Sequence, residues 1–245
     1  MDKVKVYWAP FIDYAERNHN LIYNEPKSLY DTLYKNRNKN IDPGGSMFSC
    51  PVISTAYHNI FSFNNPIDSH YKFKLNQDTG ESMYMPLIEK SMNVNTYVLS
   101  SIKNNAMFEY EPRWIFFSEE PLDMITTSPY YHKPKHTNYG SMTPGKLDIS
   151  KWFRVINIQI NLWDNVDEFK IEKDEPLFYA NFITDKKVEL VRFELNDYLI
   201  KHARTIASSA EWEPRISLSE RFERFRLSRT RDLILREIKK QVLPQ

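Results

Sequence analysis

Apolar residues along this chain recur mainly at every second position, in short runs cut by proline, glycine and acidic turns, and a period of two predicts strands. At the amino end Val4, Val6 and Trp8 share one parity and read as an opening or edge strand. Between Met47 and Thr127 the breaks at Pro51, Pro66, Gly80, Pro86, Pro112 and Pro121 separate strand-like pieces at SCPVIST, NIFSF, HYKFKL, TYVLSSI and RWIFFS. The clearest alternation runs from Lys151 to Trp163. Trp152, Ile156, Ile158, Ile160 and Leu162 fall on one face, and Asn157, Gln159 and Asn161 on the other. Phe169 and Ile171, then LFYANFI and VELVRFEL, continue the pattern, with Pro176 marking an edge or a strand start because it cannot donate to a ladder. Breaks this frequent suit an antiparallel core, since parallel βαβ units need long helical patterns between strands.

The period changes in two places. Ser28 has the chemistry of an N-cap, and Leu29, Tyr30, Leu33 and Tyr34 follow at helical spacing, predicting a short helix near residues 28–36. After Asn196, residues Leu199, Ala203 and Ile206 share a helical face. Beyond Pro214, Ser217 and Glu220 have capping-box spacing, and Phe222, Phe225, Ile234, Ile238 and Val242 form an apolar stripe, read as one longer helix. The expected fold is therefore mainly β (α+β), an antiparallel β-sandwich or distorted barrel with C-terminal helices. Residues 1–200 form the core domain and residues 201–245 a helical segment packed on it.

Composition narrows the function classes. The 245 residues suffice for one well-buried domain, and 33 basic against 32 acidic residues leave no bulk attraction to nucleic acid. The nine basic and four acidic residues between Arg215 and Lys240 read as a surface helix laced by ion pairs. A single cysteine, Cys50, allows no internal disulfide; set among apolar residues, it reads as a buried structural thiol in a reducing compartment. Neither a secretion signal nor an 18-residue apolar run is present, so the expected location is cytoplasmic or within a virion, without membrane insertion. With five glycines, of which only Gly44 and Gly45 adjoin, in DPGGS, the phosphate-cradling loops of P-loop and dinucleotide-binding proteins cannot be built.

The best place for a site is the aromatic stretch SPYYHKPKHTNYGSMTPG, because tyrosine and histidine present flat apolar faces with polar tips. His132 and His136 are four apart, but Pro129 and Pro134 make the stretch a loop, so the spacing does not imply a metal site, and no cofactor is expected. Asp148, Lys151 and Arg154 read as an ion-pairing set that knits a sheet corner. Candidate ligand-binding residues are Trp114, Tyr130, Tyr131, His132, His136 and Arg154; candidate partner-binding residues are Phe222, Phe225, Arg229, Ile234 and Ile238. No GxSxG elbow or other catalytic constellation appears, and no catalytic residue is assigned.

Three stretches, SMFSCPVIST with HNIFSFNNPIDSHYKF, WIFFSEEPLDMITTSPYYH, and GKLDISKWFRVINIQINLW running into FKIEKDEPLFYANF, together resemble a family of proteins carried by T4-like tailed phages of the cyanophage type, with bacterial relatives. The resemblance covers most of residues 1–200 and implies a phage protein without transferring an activity. A second likeness, in layout alone, is to the β-fold of dUTPase and dCTP deaminase. Asp148 with WFRVINIQINLW and then EKDEPLFYANF carries it, but the serine-rich and glycine-rich phosphate segments of that fold have no counterpart here. The expected function is a non-enzymatic protein acting by binding, as a virion component or a modulator of a host protein. Protein contact or self-association is its main mode and a small-molecule ligand a second. The alternative is an enzyme of cupin-like or dUTPase-like architecture.

Overall fold

The computed structural model describes residues 2–11, 23–38, 40, 46–75, 82–86, 98–102, 105–164 and 166–244. In chain order its elements are β1 (Lys3–Pro10), β2 (Lys27–Ser28), α1 (Leu29–Asn36), α2 (Ser46–Ser49), α3 (Pro51–Tyr57), β3 (Ile60–Asn64), β4 (Ser69–Leu75), β5 (Ser82–Pro86), β6 (Val98–Ile102), β7 (Asn105–Tyr110), β8 (Trp114–Ser118), β9 (Asp123–Thr127), β10 (Gly140–Met142), β11 (Gly145–Asp148), β12 (Ile158–Leu162), β13 (Glu168–Ile171), β14 (Pro176–Ile183), β15 (Lys187–Arg192), α4 (Asp197–Trp212), α5 (Leu218–Arg226) and α6 (Arg229–Lys240). The strands form four sheets in the orders β15-β1-β8, β10-β12-β7-β6, β11-β9-β14-β3-β2 and β13-β4-β5. Among the described residues every ladder is antiparallel except that of β1 with β15. The fold among the described residues is mainly β, with C-terminal helices and no closed barrel. None of the described helices is long and apolar enough to cross a membrane.

The three-stranded sheet explains the least alternating sequence in the protein. Trp114 and Phe116 of β8, with Val4, Val6 and Trp8 of β1, face the main core among the sheets. Ile115 and Phe117, with Tyr7 and Ala9, face a second core roofed by Leu199, Ala203, Phe225, Ile234, Leu235 and Ile238 of the helices. A strand covered on both faces reads as a continuous apolar run, hence WIFF, and this is also the setting in which parallel pairing is found. The first strand is thus an opening strand but a central one, hydrogen-bonded on both sides.

At the centre of the main core Phe63 of β3 lies parallel to Phe178 at 5.1 Å and meets Trp8, Trp114 and Phe116 edge-on at 6.1, 5.6 and 5.0 Å. One ring therefore joins strands of two sheets. Gly140 is needed where β10 crosses β12, because a Cβ there would stand 2.3 Å from the Asn161 carbonyl oxygen.

Four sequence expectations change. SCPVIST is not a strand; Pro51 occupies the first turn of α3, where its fixed φ suits helix entry, and its β-branched neighbours Val52 and Ile53 had mimicked a strand. Cys50, at the N-cap of that helix, is exposed and not a buried thiol. Regular strand begins only at Ile158 and not at Lys151, since Phe153 and Val155 turn into the helix-roofed core while Ile156 and Ile158 enter the main one. The expected single helix after Ser217 is two: Leu227 caps α5, and the Ser228 hydroxyl restarts the chain as N-cap of α6 by accepting the Arg231 amide. The DPGGS glycines and Thr96 and Tyr97 of TYVLSSI lie outside the described residues.

Candidate functional site

The aromatic stretch forms a strap from Ser128 to Tyr139, tied down residue by residue. Tyr179 on β14 is the first anchor. Its neighbours Phe178, Ala180 and Phe182 enter the main core, so strand alternation turns Tyr179 to the opposite face, into a small cluster with Leu29, Leu33, Phe48 and Ile60. There its hydroxyl lies 2.5 Å from His132 Nδ1 and accepts the His132 backbone N–H at 3.3 Å. Burial pushes the Tyr179 hydroxyl well above its ordinary value, so it keeps its proton. Burial, aided by nearby Lys27, pulls His132 below its ordinary value, so the imidazole stays neutral. The hydroxyl therefore donates to Nδ1, which leaves the imidazole proton on Nε2.

The rest of the strap is fastened as firmly. Lys133 turns the chain at φ 47°. Lys135 Nζ donates to Glu172 at 3.1 Å, and the Glu175 carboxylate accepts the backbone N–H groups of both His136 and Glu172 at 3.1 Å. Burial alone would raise the Glu175 carboxyl; the His136 side chain, with Nδ1 at 3.5 Å, and the two amides outweigh it and hold the carboxyl below its usual range. At the far end the Thr137 carbonyl accepts the Trp163 indole N–H at 2.9 Å.

What this framework leaves outside is tyrosine. Tyr130 and Tyr131 are 51% and 50% exposed, and the Tyr130 ring rests edge-on against Tyr179 at 5.1 Å. Tyr30 and Tyr34 of α1 pack on Phe48 beside the same cluster, and the Arg37 guanidinium lies 3.7 Å over the Tyr34 ring. The face is thus a set of amphipathic rings held by buried anchors.

The other sequence-derived candidates separate into different neighbourhoods. Trp114 is buried in the main core. His136 is 4% exposed and belongs to Glu175, whereas His132 belongs to Tyr179, so the two histidines share no site. Arg154 lies 5.3 Å over the Trp152 ring, which stacks on Phe222 at 4.4 Å. Of the pocket expected around Trp114, Tyr130, His132, His136 and Arg154, Trp114 and His136 are buried, and His132 and His136 are held by different anchors. Phe225, Ile234 and Ile238 are buried against the chain's own sheet and Phe222 against Trp152, so they do not offer the surface expected of them; Arg229 is exposed. Among the described residues, no group of three or more His, Cys, Asp or Glu side chains is placed to hold a metal ion. Sequence reasoning missed Tyr179, whose signal is its parity: it is the one polar-tipped aromatic set opposite Phe178 and Phe182. The chain matches no family model and no curated protein.

The His132–Tyr179 bond makes the strap sensitive to acid. A folded-state pKa held below the unfolded one means that the folded chain binds fewer protons at His132. The contribution is complete above the unfolded value of about 6.5 and is lost as pH falls through the folded value. Amide exchange in residues 128–134, corrected for its intrinsic pH dependence, is expected to speed up below about pH 6.5, and His132→Gln to remove that dependence. Equal protection from neutral to mildly acid pH contradicts the assignment.

Proposed function

We propose that the protein acts by binding another protein, through the face that the strap presents, in the setting its phage-family resemblance implies: a virion component or a modulator of a host protein. The observation that carries the reading is the pair of half-exposed tyrosines on a strap anchored by Tyr179, Glu175 and Glu172. Tyrosine is enriched at the centres of interfaces because it buries a large amphipathic surface while losing few torsions. Rings already fixed by buried anchors lose still less on association. Affinity capture with the full chain is expected to retain a partner that the double variant Tyr130→Ala, Tyr131→Ala loses, with both proteins melting alike. Equal capture by the two proteins, or turnover of a substrate at enzymatic rates, overturns the reading.

A further inference from the structure

A second site lies on the face of the sheet β10-β12-β7-β6 that is turned away from the main core. Strand β12 sends Ile158, Ile160 and Leu162 into the main core and leaves Gln159 and Asn161 on the other face. With Met107, Thr143, Trp163 and Asp164 these side chains line a groove of about 490 Å³, within the ordinary size of a ligand site.

Three features define what would fit. First, Trp163 is 49% exposed, yet its ring is immobilised: the indole N–H donates to the Thr137 carbonyl and the backbone N–H to the Tyr139 carbonyl, each at 2.9 Å. A large apolar face is therefore offered in one orientation before anything binds. Second, the polar lining is amide and hydroxyl. Asn161 Nδ2 donates to Thr143 Oγ1 at 2.8 Å, which orients the amide, and Asn161 Oδ1 is buried with no hydrogen-bond partner among the described residues. Third, among the described residues no lysine, arginine or histidine lines the groove and the one charged side chain is Asp164, which repels an anionic ligand.

The geometry points to a binding site for a neutral oligosaccharide. A sugar ring has an apolar C–H face that packs on an indole, and a rim of hydroxyls that donate and accept at once, matching amides that do the same. A groove of about 490 Å³ is larger than a single sugar ring, so it accepts a segment of a chain of sugars as well as one ring. This site touches the strap through the Trp163–Thr137 bond but presents a different ring from the tyrosine face, and it stands whether or not that face binds a protein.

Titration of the full chain with maltohexaose, cellohexaose and the hexamer of N-acetylglucosamine, read by tryptophan fluorescence and calorimetry, tests the proposal. At least one is expected to bind saturably and more tightly than its own monosaccharide. Trp163→Ala is expected to weaken that binding by roughly tenfold or more, Trp163→Tyr to preserve much of it, and Tyr130→Ala with Tyr131→Ala to leave it unchanged. Unchanged melting of the Trp163→Ala protein shows that the loss is local. Failure of all three hexamers to bind, equal binding by the monosaccharide, tighter binding of an acidic hexasaccharide, or indifference to Trp163→Ala overturns it.

Discussion

Phe63→Ala is expected to destabilise the protein by about 3–5 kcal/mol, the range for removing a buried phenylalanine from a core that relaxes only partly. The site has little room to collapse. Trp8 of β1, Trp114 and Phe116 of β8, and Phe178 of β14 all meet the ring, and all four belong to strands whose backbones are hydrogen-bonded on both sides or bridged. Moving one aromatic inward to fill the void disturbs its contacts elsewhere, so most of the cavity remains. For a chain of this size the loss lowers the melting temperature by roughly 6–20 °C. Val52→Ala, at a side chain 77% exposed, serves as the control and is expected to change stability by no more than about 0.5 kcal/mol. A Phe63→Ala protein that melts like the control contradicts the account of the core.

The second large effect is expected from a charged residue. Arg231 lies in the run SERFERFRLSRTRD, where charge density predicts a solvated helix face. Instead its guanidinium turns inward from α6, over the Phe117 ring at 5.5 Å. Nε donates to the Ser150 carbonyl at 2.9 Å, and Nη2 donates to the carbonyls of Ser118, at 3.2 Å, and Glu119. These carbonyls belong to the end of β8 and to the turn before Lys151, so one planar cation joins the helical roof to the sheet beneath it. Hydrogen bonds from a charged donor contribute about 1.5–3 kcal/mol, and removing the donor also strands its buried acceptors. Arg231→Met, which keeps the stem and discards the donors, is expected to cost about 3 kcal/mol in denaturant unfolding. Arg231→Lys restores the charge but not the fork and is expected to recover only part of that. A cost below about 1 kcal/mol for the methionine variant would falsify the stapling role.

The legible parts of this fold are those in which one rule acts alone. Period-two alternation located β3, β4 and β13–β15, an apolar run bounded by prolines located β8, cap chemistry located the starts of α1 and α5, and a change of period located α4, because strand faces and helix ends are decided by neighbours in sequence. The errors fall where two demands meet on one segment. Residues 151–157 alternate like a strand, yet Phe153 and Val155 are needed in the second core, and ladder pairing gives way. In SCPVIST, β-branched residues voted for strand and Pro51 at a helix entry decided otherwise. The strap was recognisable from its tyrosines and histidines, but not its anchors: Tyr179 and Glu175 lie about 40 residues further on and become neighbours only through the β9-β14 ladder. The buried stripe of the C-terminal helices was visible in the sequence as apolar. Whether it faced the chain itself or a partner depended on the second face of β1 and β8, which no local pattern reports.

Because Phe225, Ile234, Leu235 and Ile238 cover that second face, deleting the C-terminal helices would uncover the core, and the binding face has to be probed in the intact chain. The most direct measurement places the photocrosslinker p-benzoylphenylalanine at Tyr130 of the intact 245-residue chain, and separately at Trp212, which is 81% exposed but outside the strap. Both proteins are irradiated in a bacterial lysate. The account predicts a discrete protein adduct from position 130, competed away by excess unlabelled chain and absent from position 212. Absence of an adduct at 130, or the same adduct from 212, would contradict it.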